Sequence, residues 1–325
     1  MPGQHNFINF FNVKVFSSKN ISSNSDFNND CSCSFVLLRL IPGDPASAML
    51  PDEATIEEIE SMRKQLGYYD PMYVQFFRYV ETIATLNFGD SLFFRIPVTE
   101  VISMKLEATF LLAFYSQILA IIVGIPVGIW AAANRGSFLD QILMTSSLVT
   151  VSVPSFYLGL VLIFFISVDL GLLPVYGYVS VTEDPLLSIK HLVLPILTLG
   201  LAIAGVIARM TRSSILEVLS LDYIKTAYAK GVSTPAILFK HAFGNAMIPT
   251  LAIIALSFSA LLGGSAVIEV VFAIPGLGST MVDSVHRRDY PMIQALLILF
   301  AAINVLIHLL VDFIYAFLDP RIRYN

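Results

Sequence analysis

The chain has 325 residues, of which 56 % are apolar and only 13 % charged, with a mean hydropathy of +0.76. Soluble domains carry about a quarter charged residues, so this composition excludes an ordinary soluble protein and indicates a membrane one. The net charge of −5 gives no signal for a nucleic-acid partner.

Residues 1–34 are rich in Asn, Ser and Phe and match neither a signal peptide nor a helix, so disorder is expected there. Their two cysteines, Cys31 and Cys33, are too few for a disulfide framework or a zinc site. The apolar run FVLLRLI at 35–41 falls well short of the roughly 20 residues that cross a bilayer. Residues 42–107 lean acidic, and within them PDEATIEEIESMRKQLG reads as a capped helix ending at Gly67, a solvated lid. Five later segments are long and apolar enough to span: about 108–133, 143–168, 191–208, 248–274 and 291–317. Pro126, Pro154 and Pro195 fall inside them, and neighbouring helices in a bundle can satisfy the backbone groups that proline frees.

Lys and Arg near the span ends set the orientation. Arg135, the loop 209–247 (Arg209, Arg212, Lys225, Lys230, Lys240) and the tail (Arg321, Arg323) fall on one side if the spans alternate. The other side holds Lys190, Arg287, Arg288 and the acidic-leaning 42–107. The basic side is therefore read as cytoplasmic, with Trp130 and Arg135 at an interface position.

On that side, KTAYAKGVSTPAILFKHAFGNAMIP (225–249) is basic and broken by Gly and Pro. Asp222 to Lys230 reads as a short helix with Ser220 as its N-cap, closed by Gly231 in the left-handed conformation. Ser233 or Thr234 then caps a second helix with Pro235 in its first turn, and Ala236, Ile237 and Phe239 give it an apolar side. Two short helices joined at a corner and tied to spans at both ends suit a docking element for a soluble partner better than a plain connection, since connections are commonly short.

Some polar residues lie in or beside the spans. Asn304, His308 and Asp312 share one face of the last span, by their i, i+4, i+8 spacing. An intramembrane Asp costs about 2.5–3.5 kcal/mol on insertion scales, so this face is expected to turn inward or Asp312 to reach the surface, with interhelical hydrogen bonding preferred over a proton relay. Glu269 follows Gly263-Gly264 near the outer end of the fourth clear span. It is a candidate to touch a substrate amino group, to hold an outer gate by pairing with Arg287 or Arg288, or to meet headgroups; gate or structural duty is preferred. The glycine pair is read as permitting close helix packing.

DYIKTAYAKG followed by KHAFGNAMIP resembles the coupling segment of permease subunits in ATP-binding-cassette importers of the dipeptide, oligopeptide and nickel group. RLIPGDPA (39–46), LGYYDPMYVQFFRYV (66–80), NFGDSL (87–92), PVTEVI (97–102), GGSAVIEVVFAIPGLG (263–278) and NVLIHLLVDFIYAFLDPRIR (304–323) extend the resemblance over about 35–325. Lys225-Thr226-Ala227 stands where the general importer motif has Glu-Ala-Ala, a departure shared by the peptide-importer group.

The resemblance implies an all-α polytopic bundle of the type I importer permease kind, with five complete spans and a truncated first span of which 35–41 is the remnant. It further implies an extracytoplasmic segment 42–107 and a permease domain 108–325 whose segment 209–247 couples to ATPases. Tyr223, Lys225, Thr226, Ala227, Ala229, Lys230 and Gly231 match the docking motif. Glu269, Gly263, Gly264 and Asn304 are the candidates for the translocation path or gate. The implied partners are a second permease subunit, two ATPase subunits, an extracytoplasmic substrate-binding protein beneath which 42–107 lies, and the lipid bilayer of the cell membrane. The chain has no G-x-x-x-x-G-K-[ST] loop, so it is not itself expected to be an enzyme. It is expected to bind no cofactor, with ATP and Mg held by the partners. Peptides are the leading cargo, with nickel chelates or other small solutes next.

A secondary transporter would need no coupling segment and usually shows internal repeats. An intramembrane protease would need its aspartates at membrane depth, whereas YYD (68–70) and NFGD (87–90) lie outside the spans. The change of composition at Phe35 suggests a frameshift or misassigned start upstream.

Overall fold

A computed structural model describes residues 55–65 and 67–318. The leader 1–34, the remnant 35–41, the cysteines, the basic tail and the side chain of Asp312 lie outside the described residues. The described part is all-helical apart from one isolated bridge between Asp90 and Pro97. It divides into two compact units.

The first unit holds residues up to Met104 together with Thr280–Leu309. Helix α1 (Ile56–Gln65) starts from a reciprocal capping box: the Thr55 N–H donates to Glu58 Oε2 (2.8 Å) and the Glu58 N–H to Thr55 Oγ1 (3.3 Å). Gly67 follows at φ +67, as the sequence predicts for its end. Helix α2 (Met72–Thr85) comes next. NFGDSL folds onto the start of the last helix, where the Asp289 carboxylate accepts from Ser91 Oγ and from the backbone N–H groups of Phe93 and Met292. Arg287 lies 3.7 Å above the Phe93 ring.

The second unit, Lys105–Ser279 with Leu310–Asp319, contains most of the apolar helices. Helix α3 (Val98–Ala133) has 36 residues, about 54 Å at 1.5 Å each, so it overhangs a hydrocarbon core of roughly 30 Å. Helix α4 (Phe138–Ser152) is capped by Ser137. Helix α5 (Ser155–Leu162) runs into a π-helical segment Ile163–Asp169. Helix α6 (Pro185–Leu219) starts on an Asp184 cap, with Pro185 in its first turn. Then come α7 (Asp222–Ala229), α8 (Thr234–Ala236) with a π-helical segment Ile237–Ala242, α9 (Phe243–Gly264) and α10 (Ala266–Val271). Helices α11 (Leu277–Arg287) and α12 (Tyr290–Leu318) complete the described chain.

Helix α6 is the hub, packed by α4, α5 and α9. The close approaches are made by glycine. A Cβ on Gly128 of α3 would meet the Ala208 carbonyl oxygen at 2.6 Å, and one on Gly205 of α6 would meet the Ser147 carbonyl oxygen at 2.7 Å.

Among the described residues four apolar helices are long enough to cross a membrane, and a fifth span exists if α4 and α5 are taken together. Here the expectation of a continuous span over 143–168 is corrected: α4 and α5 meet at 101°. The cause is Pro154. It cannot offer Thr150 an i+4 N–H, and it holds the preceding Val153 in extended backbone (φ −80, ψ 126). Pro126, Pro195 and Pro249 stay inside helices. The expected fourth span, 248–274, is also redrawn: it starts at Thr234 and stops at Gly264, so Glu269 belongs to the separate α10.

Candidate functional site: a braced elbow and a buried carboxylate

The basic segment forms the predicted short helix α7 and the corner after it, but the expected second short helix is corrected: Thr234–Ala242 runs without a break into α9 as the first turns of the span Thr234–Gly264. After α7, Gly231 takes φ +79, its N–H donates to the Tyr228 carbonyl (2.9 Å) and the Val232 N–H to the Ala227 carbonyl (3.2 Å). This paired closure is a Schellman turn, and Val232 and Ala227 pack against the same cluster, as that turn favours. Two details differ from expectation. Ser220 ends α6, its hydroxyl donating back to Glu217, and Leu221 takes the N-cap place of α7 without a side-chain cap.

Beneath the corner lies an apolar cluster. Ile224 of α7, Ile237, Leu238 and Ala242 of the π-helical segment and Ala246 of α9 meet Ala132 of α3 and Ile215 and Val218 of α6. Ile237 and Ala242, five apart, share the buried side because the π turn is wider than an α turn. Phe239 was expected on that apolar side, but it faces out at 63 % exposure. Tyr223 crosses the corner, its hydroxyl donating to the His241 carbonyl (3.3 Å) and accepting from Asn245 Nδ2 (3.0 Å).

The other predicted docking residues occupy the outer surface of α7. Lys225 pairs with Asp222 at 2.8 Å, Thr226 Oγ1 donates to the Asp222 carbonyl, and Ala229, Lys230 and Gly231 are exposed; Ala227 is half-buried. With Leu221, Tyr223, Tyr228 and Phe239 also exposed, the elbow presents apolar and aromatic side chains on a braced base.

An ion pair not anticipated from the sequence steadies the same end. Arg212 of α6 grips Asp140 of α4 through Nε to Oδ1 and a terminal guanidinium nitrogen to Oδ2, both 2.7 Å, while the Gly136 N–H donates to Oδ2 at 3.0 Å. Asp140 is buried. Its signal was the S-x-x-D capping pattern at Ser137, with an Arg two turns before the elbow.

The candidate path or gate residues separate. Glu269 is fully buried, which rules out headgroup contact. Its Oε1 accepts from Thr109 Oγ1 (2.8 Å) and Ser265 Oγ (2.7 Å), and its Oε2 from the Ser279 N–H (2.7 Å). Its described partners are thus neutral donors, and Arg287 is engaged with Phe93 instead. Gly276 of the PGLG loop can lie against this knot only because it lacks a side chain: a Cβ would meet the carboxylate at 2.5 Å. Gly263 and Gly264, expected to allow close packing, have nothing within 4 Å of where a Cβ would be and are exposed. Asn304 is exposed on α12, and its carbonyl lies 2.8 Å from His308 Nδ1.

Residues 124–324 match the family model of the binding-protein-dependent transport system inner membrane component, and 31–113 match the N-terminal model of the same membrane component. A probable peptide ABC transporter permease protein, y4tP of Sinorhizobium fredii, is 44 % identical over 290 residues, 89 % of this chain and 93 % of that protein. The glutathione transport system permease protein GsiC of Salmonella paratyphi A is 45 % identical over 291 residues, 90 % of this chain and 92 % of that protein. The solved structure of a methionine ABC transporter, MetNI, in an inward-facing conformation aligns over 68 % of this chain and 97 % of that one. Its TM-score is 0.56 at 22 % identity, a likeness of fold.

Proposed function

Since the chain belongs to the binding-protein-dependent transport system inner membrane components, as a multi-pass membrane subunit of an ATP-driven importer, we propose that it forms half of a peptide translocation path. Its elbow, on the cytoplasmic side, seats in an ATPase subunit. A second permease subunit supplies the other half, two ATPase subunits supply ATP and Mg chemistry, and 42–107 faces an extracytoplasmic substrate-binding protein. The observation that carries the coupling role is the elbow itself: exposed Leu221, Tyr223, Tyr228 and Phe239 above a cluster in which α3, α6 and α9 all take part. Force on that surface reaches three apolar helices at once, because close-packed side chains transmit displacement rather than absorb it.

Peptide cargo is supported by the two relatives above, whose names give peptide and glutathione; glutathione is itself a tripeptide. Tyr223, Lys225, Thr226, Ala227, Ala229, Lys230 and Gly231 are assigned to ATPase docking. Glu269 is assigned to fixing the PGLG loop at the end of α10, a structural element of an outer gate. Gly263, Gly264 and Asn304 are assigned to surfaces of the path.

The test is ATP-dependent uptake by the assembled importer in proteoliposomes, with labelled dipeptide, glutathione and a nickel chelate in separate runs. Uptake of dipeptide or glutathione is expected. Uptake of the nickel chelate alone would replace the peptide reading with the metal one.

A further inference from the structure

Helix α2 carries its apolar side outward. Tyr73, Phe77, Val80 and Ala84 follow the i, i+4, i+7, i+11 spacing of a single stripe, while Gln75, Arg78, Thr82 and Thr85 fall on the other side. A soluble helix so patterned turns its stripe to the core. Here the reverse holds: Tyr73 is 66 % and Phe77 69 % exposed, and Val80 and Ala84 are exposed with them. The polar side is the one tied into the chain. Gln75 Nε2 donates to the Asp70 carbonyl (2.6 Å) and Arg78 pairs with the Asp70 carboxylate (3.0 Å). The Thr82 and Thr85 hydroxyls donate back to the helix carbonyls of Arg78 and Glu81.

What the stripe meets follows from where the chain goes next. The first unit holds both α2 and the start of α12, and α12 is one of the helices long and apolar enough to cross a membrane. Six residues after Thr85, Ser91 donates its hydroxyl to the buried Asp289 carboxylate, which also accepts from the Phe93 N–H (3.3 Å). Asp289 immediately precedes Tyr290, the first residue of α12. Six residues reach at most about 20 Å, so α2 ends within that distance of a serine held where a membrane helix begins.

The chemistry of the stripe suits that place. It bears no charged residue, and Tyr68 and Tyr69 are exposed just ahead of it. Tyrosine, an apolar ring with a polar tip, collects at the membrane–water boundary. Fourteen residues make about 21 Å of helix, too short to cross a hydrocarbon core of roughly 30 Å. A helix apolar on one side, polar on the other and not bound to span is the kind that lies in the boundary itself. A protein that docks and departs would leave this stripe in water between visits, whereas lipid covers it throughout.

We propose that α2 is a membrane-surface anchor. Its Tyr73, Phe77 and Val80 side chains lie in the headgroup–acyl boundary of the leaflet at which α12 begins, and they hold the surrounding segment against the bilayer. The partner of this surface is phospholipid, not the substrate-binding protein.

The test uses the assembled importer in proteoliposomes of phosphatidylethanolamine and phosphatidylglycerol, with substrate-binding protein added. Benzoylphenylalanine replaces Tyr73, Phe77 or, as the control off the stripe, Thr85, and mass spectrometry after illumination identifies what each position has captured. Phospholipid adducts are expected from Tyr73 and Phe77 positions at severalfold the yield from the Thr85 position. A second variant carries the photoprobe at Val80 together with Tyr73→Glu and Phe77→Glu; charge on the stripe should lower its phospholipid adduct severalfold relative to the probe at Val80 alone. Capture of the substrate-binding protein or of another part of this chain from the stripe overturns the anchor. So do equal phospholipid yields on and off the stripe, no adduct at all, or an undiminished adduct in the doubly charged variant.

Discussion

Gly231 shows what one residue contributes to coupling. Space does not constrain it, since nothing lies within 4 Å of where a Cβ would be, so its backbone at φ +79 does. A β-branched residue there is strained by about 1–2 kcal/mol, and relief opens the Schellman turn that sets the corner. Gly231→Val is expected to leave ATP hydrolysis by the complex running while peptide uptake per ATP falls severalfold; Gly231→Asn, which tolerates the left-handed region, should retain most coupling. Equal coupling ratios in the two variants would contradict this. Asp140→Asn is expected to cost stability toward the low end of the about 3–5 kcal/mol of a broken buried pair, because the Arg212 side chain is 27 % exposed. A thermal melt of the purified complex reads that loss, and the double change Asp140→Asn, Arg212→Gln should recover part of it. Glu269→Ala should cost more than Glu269→Gln by the same measurement, since it strands all three donors rather than mismatching one. The sequence made Gly231 legible because a left-handed helix end has a strong local signature. The environments of Asp140 and Glu269 are built from residues up to 160 positions apart, such as Thr109 with Glu269, which no local pattern reveals.

Among the helices, the apolar spans were legible in existence more than in shape. Composition is continuous through 143–168, so nothing in hydropathy separates a kink at Pro154 from the 101° break that divides α4 from α5. Position decides it: Pro126, Pro195 and Pro249 remain inside helices, whereas Pro154 stands ahead of α5 with extended backbone before it. Phe239 faces out for a related reason, since the wider π turn puts Ile237, Leu238 and Ala242 on the buried side and leaves Phe239 off it. Glycine roles also needed the fold. Gly128 and Gly263 look alike in sequence, yet a methyl group on Gly128 would meet a backbone oxygen at 2.6 Å while one on Gly263 would meet open space. Gly128→Ala is expected to weaken the packing of α3 on α6 and reduce the yield of assembled complex, and Gly263→Ala to leave that yield unchanged. Size-exclusion chromatography of both variants checks the pair; a Gly128→Ala complex as abundant and as heat-resistant as the unmodified one would refute the packing assignment.

For the whole molecule, the ATP chemistry lies on partner subunits and the membrane-spanning helices lie in this chain. Apolar helices carry no nucleotide loop, and one basic corner offers exposed aromatic side chains on a base shared by α3, α6 and α9. The most direct test installs a photo-crosslinker at Tyr228, which is exposed on α7, in the fully assembled importer within sealed vesicles of known orientation. The account predicts a crosslink to the ATPase subunit whose yield changes between nucleotide-free and ATP-trapped states. A crosslink to the substrate-binding protein, or to no ATPase in either state, would contradict it.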